Sequence, residues 1–182
     1  IVPFVPGGNI DINARAIAPG LTELLGQNVV VDNRGGAGGL IGTELVAKSA
    51  PDGHTLAVGS SGTLTVAPAA YSKMPYDVLR DLSLVLPLSY APIVLVVNPS
   101  LPAKTVKDFI ALAKARPGLL TGGTAGIGSA PHLSLELFKS MAKIDVVFAH
   151  YKGLGQGMVS LLSGEIALMT PTALTVIQHL RN

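Results

Sequence analysis

The chain has no cysteine and no tryptophan, only four tyrosines and four phenylalanines, and only 13% charged residues. Without cysteine there is neither a disulfide framework nor a thiolate metal site, a condition met by cytosolic and periplasmic proteins alike. Stacking platforms for bases are scarce. A formal charge of +2 with no cluster of lysine or arginine lacks the electrostatic footprint that phosphate backbones require, so nucleic acid is not an expected partner. No window approaches the roughly 20 apolar residues of a membrane-spanning helix. The longest apolar stretch, residues 91–97, contains Pro92 and reads as a buried strand. The chain starts Ile1-Val2-Pro3-Phe4, without a basic leader, in what looks like the middle of a strand. This predicts a processed or truncated piece, with any signal peptide outside it.

Hydrophobic residues make up 48% of the 182, enough core for one large domain or two small ones. They recur in units: a short β-branched run, a glycine-rich turn, then an amphipathic helix. Residues 1–4 lead into Pro6-Gly7-Gly8-Asn9, after which Ile10, Ala14, Ile17, Leu21 and Leu24 fall at helical spacing. Asn9 is the expected N-cap and Gly26 the expected helix stop. Residues 29–31, 55–58, 84–88 and 93–97 are further strand candidates, and a helix is expected over about 40–49. Asn98-Pro99-Ser100-Leu101-Pro102 then makes a stiff connector. Beyond it, Thr105 and Asp108 resemble a capping box opening a helix to Arg116. Residues 119–121 read as a strand and Gly122 to Ser129 as a glycine loop. The helix that follows is expected to turn Leu133, Leu137, Phe138 and Met141 inward. Residues 145–149 and 165–169 are strands, Tyr151-Lys152-Gly153 is a turn, and Leu174, Ile177 and Leu180 form an apolar stripe on a last helix. Such alternation predicts parallel sheets covered on both faces. The break near residue 100 predicts two α/β lobes, residues 1–98 and 99–182.

In open parallel sheets ligands bind beyond the carboxyl ends of strands, at the starts of the following helices. Glycines stand at several such turns here, near residues 6–9, 35–39, 59–63, 122–129 and 153–157. Helix starts carry unpaired N–H groups and partial positive charge, so a small anion is the natural ligand; the alternative is that the glycines only make tight turns. No cofactor motif competes. Gly36-Ala37-Gly38-Gly39-Leu40-Ile41-Gly42 is one residue off the dinucleotide fingerprint, no P-loop occurs, and Gly59-Ser60-Ser61-Gly62 is not a nucleophile elbow. His54, His132, His150 and His179 show no paired metal spacing, so neither metal nor cofactor is expected. His132, one turn into the helix after the glycine loop, is open between a ligand contact and a capping role. Asp11, in the first turn of the first helix, is open between a complement to the helix dipole and a contact to a hydroxyl, amide or ammonium of the ligand.

Several segments together resemble the Bug-type receptors, the solute-binding components of tripartite tricarboxylate transporters. They are Val2-Pro3-Phe4-Val5-Pro6-Gly7-Gly8-Asn9-Ile10-Asp11, Val30-Val31-Asp32-Asn33-Arg34-Gly35-Gly36-Ala37-Gly38-Gly39 and Ala50-Pro51-Asp52-Gly53-His54-Thr55-Leu56. Val97-Asn98-Pro99-Ser100-Leu101-Pro102, Gly126-Ile127-Gly128-Ser129 with His132-Leu133, and Tyr151-Lys152-Gly153 belong to the same set. The resemblance covers essentially the whole chain. It implies a two-lobed periplasmic-binding-protein (Venus-flytrap) α/β fold, partly truncated because family chains continue past Asn182. It also implies a periplasmic receptor, not an enzyme, that captures a small carboxylate and hands it to two membrane subunits. Carried over by position, the ligand residues are Phe4, Gly7, Gly8, Asp11, Ser61 and Thr63 from the first lobe. Thr124, Ala125, Gly128, Ser129, His132 and Tyr151 come from the second. Gly35 stands where the family usually has proline, Thr170-Pro171-Thr172 where it usually has an acidic residue, and Ala167 replaces a common aspartate. The rival readings are a hydrolase using Ser60, Ser61 or Ser129, and a ligand sensor without a transport role.

Overall fold

The computed structural model describes residues 1–177 and 179. The apolar stripe expected to end at Leu180 therefore reaches outside the described residues.

Helices dominate, and their ends follow local chemistry. Helix α1 (Asn9–Leu25) ends where Gly26 turns left-handed at φ 62°, a conformation that costs glycine nothing. Its N-cap is Gly8, not Asn9. Asn9 lies one residue inside and its side-chain oxygen accepts from the Asn13 amide at 3.2 Å. Helix α2 (Leu40–Ala47) follows a single 3₁₀ turn over Ala37–Gly39. A π-helical turn (Gly62–Val66) runs into the short helices α3 (Ala67–Ala70) and α4 (Val78–Asp81). Helix α5 (Val106–Ala115) opens on the expected capping box, with both Thr105–Asp108 bonds present. Helices α6 (Ala130–Ala142), α7 (Leu154–Ser163) and α8 (Ala173–Val176) complete the set.

Among the described residues one four-stranded sheet is formed, in the order β1-β4-β2-β3, from β1 (Val96–Val97), β2 (Thr121–Thr124), β3 (Val147–His150) and β4 (Leu168–Met169). β2 runs parallel to both β3 and β4, as βαβ connections require. β1 is antiparallel to β4, so the expected all-parallel sheet is corrected to a mixed one. The expected strand at residues 119–121 is displaced: β2 begins at Thr121 and contains Gly122 and Gly123, which had read as turn. Those glycines admit close neighbours. A Cβ on Gly122 would lie 2.6 Å from Leu135 Cδ2, and one on Gly123 would overlap Ile166 Cδ1.

In the N-terminal half the expected strands shrink to single rungs. Val2 bridges Asn33 in parallel, with Val2 N–H donating to Asp32 O and Arg34 N–H to Val2 O, both at 2.8 Å. Val58 N–H reaches Ile1 O at 3.1 Å. Residues 84–88 form no strand, and Leu84, Val85 and Leu86 are exposed. A strand exists only when a neighbour completes its ladder, and apolar alternation does not supply that neighbour.

The core has two main parts. Phe109, Ala113, Leu120, Leu135, Ile144, Val146 and Leu168 fill the space between the sheet and helices α5 and α6. Phe4 joins Ala125, Leu154, Met158, Leu161, Ile166, Met169 and Val176 in the other. On α6 the fully buried residue is Leu135, whereas Leu133, Leu137 and Met141 are exposed and Phe138 is half-buried. The inner face is thus rotated from the one that spacing predicts.

Candidate functional site

The start of α1 is held from behind. Asp11 is buried, and its carboxylate accepts from the Gly7 amide at 3.0 Å, Arg15 Nε at 3.0 and 3.1 Å, and Asn33 Nδ2 at 2.9 Å. Asn33 Nδ2 also donates to Phe4 O, and Arg15 donates to Asn33 Oδ1, both at 3.0 Å. Burial pushes the Asp11 carboxyl up, but the bonds from Arg15, Gly7 and Asn33 outweigh it, and the group ends below the ordinary carboxylate range. A short network therefore pins the loop from Phe4 to Gly8.

The start of α6 is built by Ser129. Its hydroxyl donates to Gly126 O at 2.7 Å and accepts from the His132 amide at 3.3 Å, the N-cap geometry. Upstream, Thr124 is fully buried, with its hydroxyl 2.6 Å from His150 Nδ1. Gly128, at φ 78°, sends its amide to His132 Nδ1 at 3.3 Å.

Between these two helix starts lies a cavity of about 470 Å³. Gly8, Asn9, Ile10 and Asn13 enter it from α1, Ser129, Ala130 and Pro131 from α6, and Leu154 from the start of α7. Phe4, Val58 to Ser61 and Leu64 close one side, and Leu86 to Ala91, Ile93, Ala125 and Thr172 close the rest. Asn13 Nδ2 donates to Ser89 Oγ at 2.9 Å, tying α1 to this wall. Among the described residues the lining contains no Asp, Glu, Lys, Arg or His. Its polar groups are neutral amides and hydroxyls set among a mostly apolar surface. A second, more open groove of about 590 Å³ lies around Met74 to Arg80, away from the starts of α1, α6 and α7.

Of the twelve residues expected from the sequence, Phe4, Gly8, Ser61, Ala125 and Ser129 line the cavity. Gly7, Asp11, Thr63, Thr124, Gly128, His132 and Tyr151 do not. Thr63 is fully buried and bonds within its own turn to Ser60. Tyr151 packs against the core cluster of Phe4 and Met158. The lining adds Asn9, Asn13, Leu86 to Ala91 and Ile93. Asn9 and Asn13 stand four apart on one face of a helix that opens on Gly8, and that spacing is a readable sign. The stretch from Leu86 carries no glycine turn and no helix start, so nothing local marks it. Of the serines of the hydrolase reading, Ser129 is engaged in its cap and Ser60 Oγ bonds to the Thr63 amide, while Ser61 lines the cavity.

A sequence model of the tripartite tricarboxylate transporter family receptors matches residues 13–182. The chain belongs to this family. Protein BugT of Bordetella pertussis is 43% identical over the whole chain, which spans 56% of BugT. Among solved structures, an R. palustris protein with adipate superposes with a TM-score of 0.95 at 36% identity, over 99% of this chain and 60% of that one. MatC of Rhodopseudomonas palustris with bound malate gives 0.93 at 32%, over 99% and 62%. The chain thus spans a little over half the length of the relatives it matches. The chain shares the α/β architecture of these periplasmic binding proteins. Among the described residues no helix is long and apolar enough to cross a membrane.

Proposed function

We propose that this chain is the ligand-capturing part of a periplasmic receptor that takes a small carboxylate, does no chemistry on it, and delivers it to two membrane subunits of a tripartite transporter. The observation that carries the reading is the cavity at the starts of α1, α6 and α7, free of charged side chains, in a chain that superposes on adipate- and malate-bound relatives. Helix starts offer unpaired N–H groups and partial positive charge. An anion can be held there without a cationic side chain and released without breaking a strong ion pair, which suits a carrier. The chain forms two lobes, and the break drawn after residue 98 falls earlier, because Val96–Val97 pair with Leu168–Met169 and so belong with the second. Phe4, Gly8, Ser61, Ala125 and Ser129 touch the ligand, while Gly7, Asp11, Thr63, Thr124, Gly128, His132 and Tyr151 keep the walls in shape.

The reading is tested by native mass spectrometry of freshly purified protein and by thermal shifts with mono-, di- and tricarboxylates, nucleotides and sugars. A bound carboxylate at 100 times its Kd stabilises by ~2.7 kcal/mol. Shifts with nucleotides or sugars and none with any carboxylate would overturn it.

A further inference from the structure

The loop over residues 124–129, which brings Ala125 and Ser129 to the cavity, is braced at both ends by an imidazole. Thr124 Oγ1 accepts from the Gly126 amide at 3.3 Å. The same hydroxyl lies 2.6 Å from His150 Nδ1, with the donor set by the tautomer of the ring. At the other end the Gly128 amide donates to His132 Nδ1 at 3.3 Å, so that nitrogen carries no proton. The two rings meet edge to face, 5.3 Å between centroids. Neither ring lines the cavity.

We propose that His132 is a positioning residue that holds the 124–129 loop in its ligand-receiving shape while its imidazole is neutral, so that acidification releases the loop and weakens ligand binding. The inference rests on the ligand reading of the cavity given above.

Protonation turns Nδ1 of His132 from acceptor to donor, and it then faces the Gly128 N–H donor. The groups facing His132 are Glu136 of its own helix, with Oε1 3.8 Å from Nε2, and His150 and the Phe148 ring from β3. Lys139, one turn on, lies 5.2 Å above Phe148 and pairs with Asp145 at 3.4 Å. Burial lowers the His132 pKa, His150 lowers it further, and Glu136 acts the other way; the net is below the ordinary value. A depressed folded-state pKa means that the contact is complete at neutral pH and is lost as pH falls below about 6.5 through the folded value.

Two measurements on the full-length receptor decide the matter. The first is an NMR pH titration without ligand. The Gly128 amide and the His132 ring are expected to titrate together, with a midpoint below about 6.5. The second is the Kd for adipate at pH 7.5 and 5.5, in the wild type and in His132→Asn. The asparagine oxygen can take the place of Nδ1 and accept the Gly128 proton at any pH. Protonation of adipate itself is common to both proteins. The wild-type ratio of Kd values is expected to exceed that of the variant by roughly 2–10-fold, the worth of one net hydrogen bond. Equal ratios, or a Gly128 amide that ignores His132, would overturn the inference. If the variant failed to fold, the wild-type titration would decide alone. If no carboxylate bound at any pH, the proposed function would fall, while the titration would still report whether His132 governs the loop.

Discussion

Gly38 and Gly126 meet backbone to backbone. A Cβ on Gly126 would sit 2.9 Å from both N and Cα of Gly38, and one on Gly38 would overlap the carbonyl oxygen of Ile127. The two glycine loops are thus pressed against each other, and here the missing side chain serves loop packing, not approach to a ligand. Gly26 has nearly the same φ as Gly38, 62° against 65°, but nothing stands within 4 Å of its would-be Cβ. Gly26→Ala is expected to cost only the left-handed strain, about 1–2 kcal/mol. Gly38→Ala should cost a further ~1–3 kcal/mol for the overlap. Urea denaturation of the pair measures the difference, and equal losses would mean that the loops part easily.

Asp11 gives the second expectation. With Gly7, Arg15 and Asn33 all donating to it, Asp11→Ala removes the one carboxylate these partly exposed donors share and is expected to cost about 1–3 kcal/mol. Because its carboxylate faces inward, binding of malate and succinate should weaken by the same factor. Calorimetry on that pair tests this, and a selective loss of the hydroxylated acid would place Asp11 at the ligand after all.

The same carboxylate sets an acid limit. A folded-state pKa below the unfolded one stabilises the protein above the unfolded value of about 3.9 and ceases to do so as pH falls through the folded value. The wild type should therefore lose stability more steeply than Asp11→Asn as pH falls below about 4. Parallel melting curves across that range check it, and identical slopes would sink it.

The neutral cavity wall yields a charge test. Asn13 is a lining residue on α1, and Asn13→Asp changes charge with almost no change in shape. A new carboxylate several ångströms from a bound one should weaken binding by roughly 10- to 100-fold. The loss should shrink with added salt to the extent that solvent reaches the site. An unchanged adipate Kd would move the ligand away from α1.

Packing on α6 can be read by truncation. Leu135→Ala is expected to cost about 2–5 kcal/mol, because Leu135 is fully buried between Phe109 and Leu168 in the core. Leu137→Ala, at a side chain 61% exposed, should fall within about 0.5 kcal/mol of the wild type. Thermal or urea unfolding of both ranks the two faces, and the reverse order would restore the face that spacing predicts.

Where neighbours in the chain decide the outcome, the residues alone were enough. The Thr105–Asp108 capping box and the left-handed stop at Gly26 are complete within a few residues, and their geometry is as expected. The family could be read the same way, because its motifs sit in the loops and keep their order along the chain. Contacts distant in sequence could not be read so. The inner face of α6 depends on how the helix docks on the sheet, and a rotation of one residue, about 100°, exchanges Leu135 for its neighbours. Residues 29–31 and 84–88 have strand composition, yet a strand is a property of a pair and no full ladder forms there. Asp11 could be placed at a helix start from sequence, but Asn33, 22 residues away, is what turns its carboxylate inward. In the same way the stretch from Leu86 to Ile93 becomes a cavity wall only through contacts such as Asn13 to Ser89, 76 residues apart. Local hydrogen bonding and steric preference are encoded residue by residue, whereas burial and pairing arise only once distant segments share a surface.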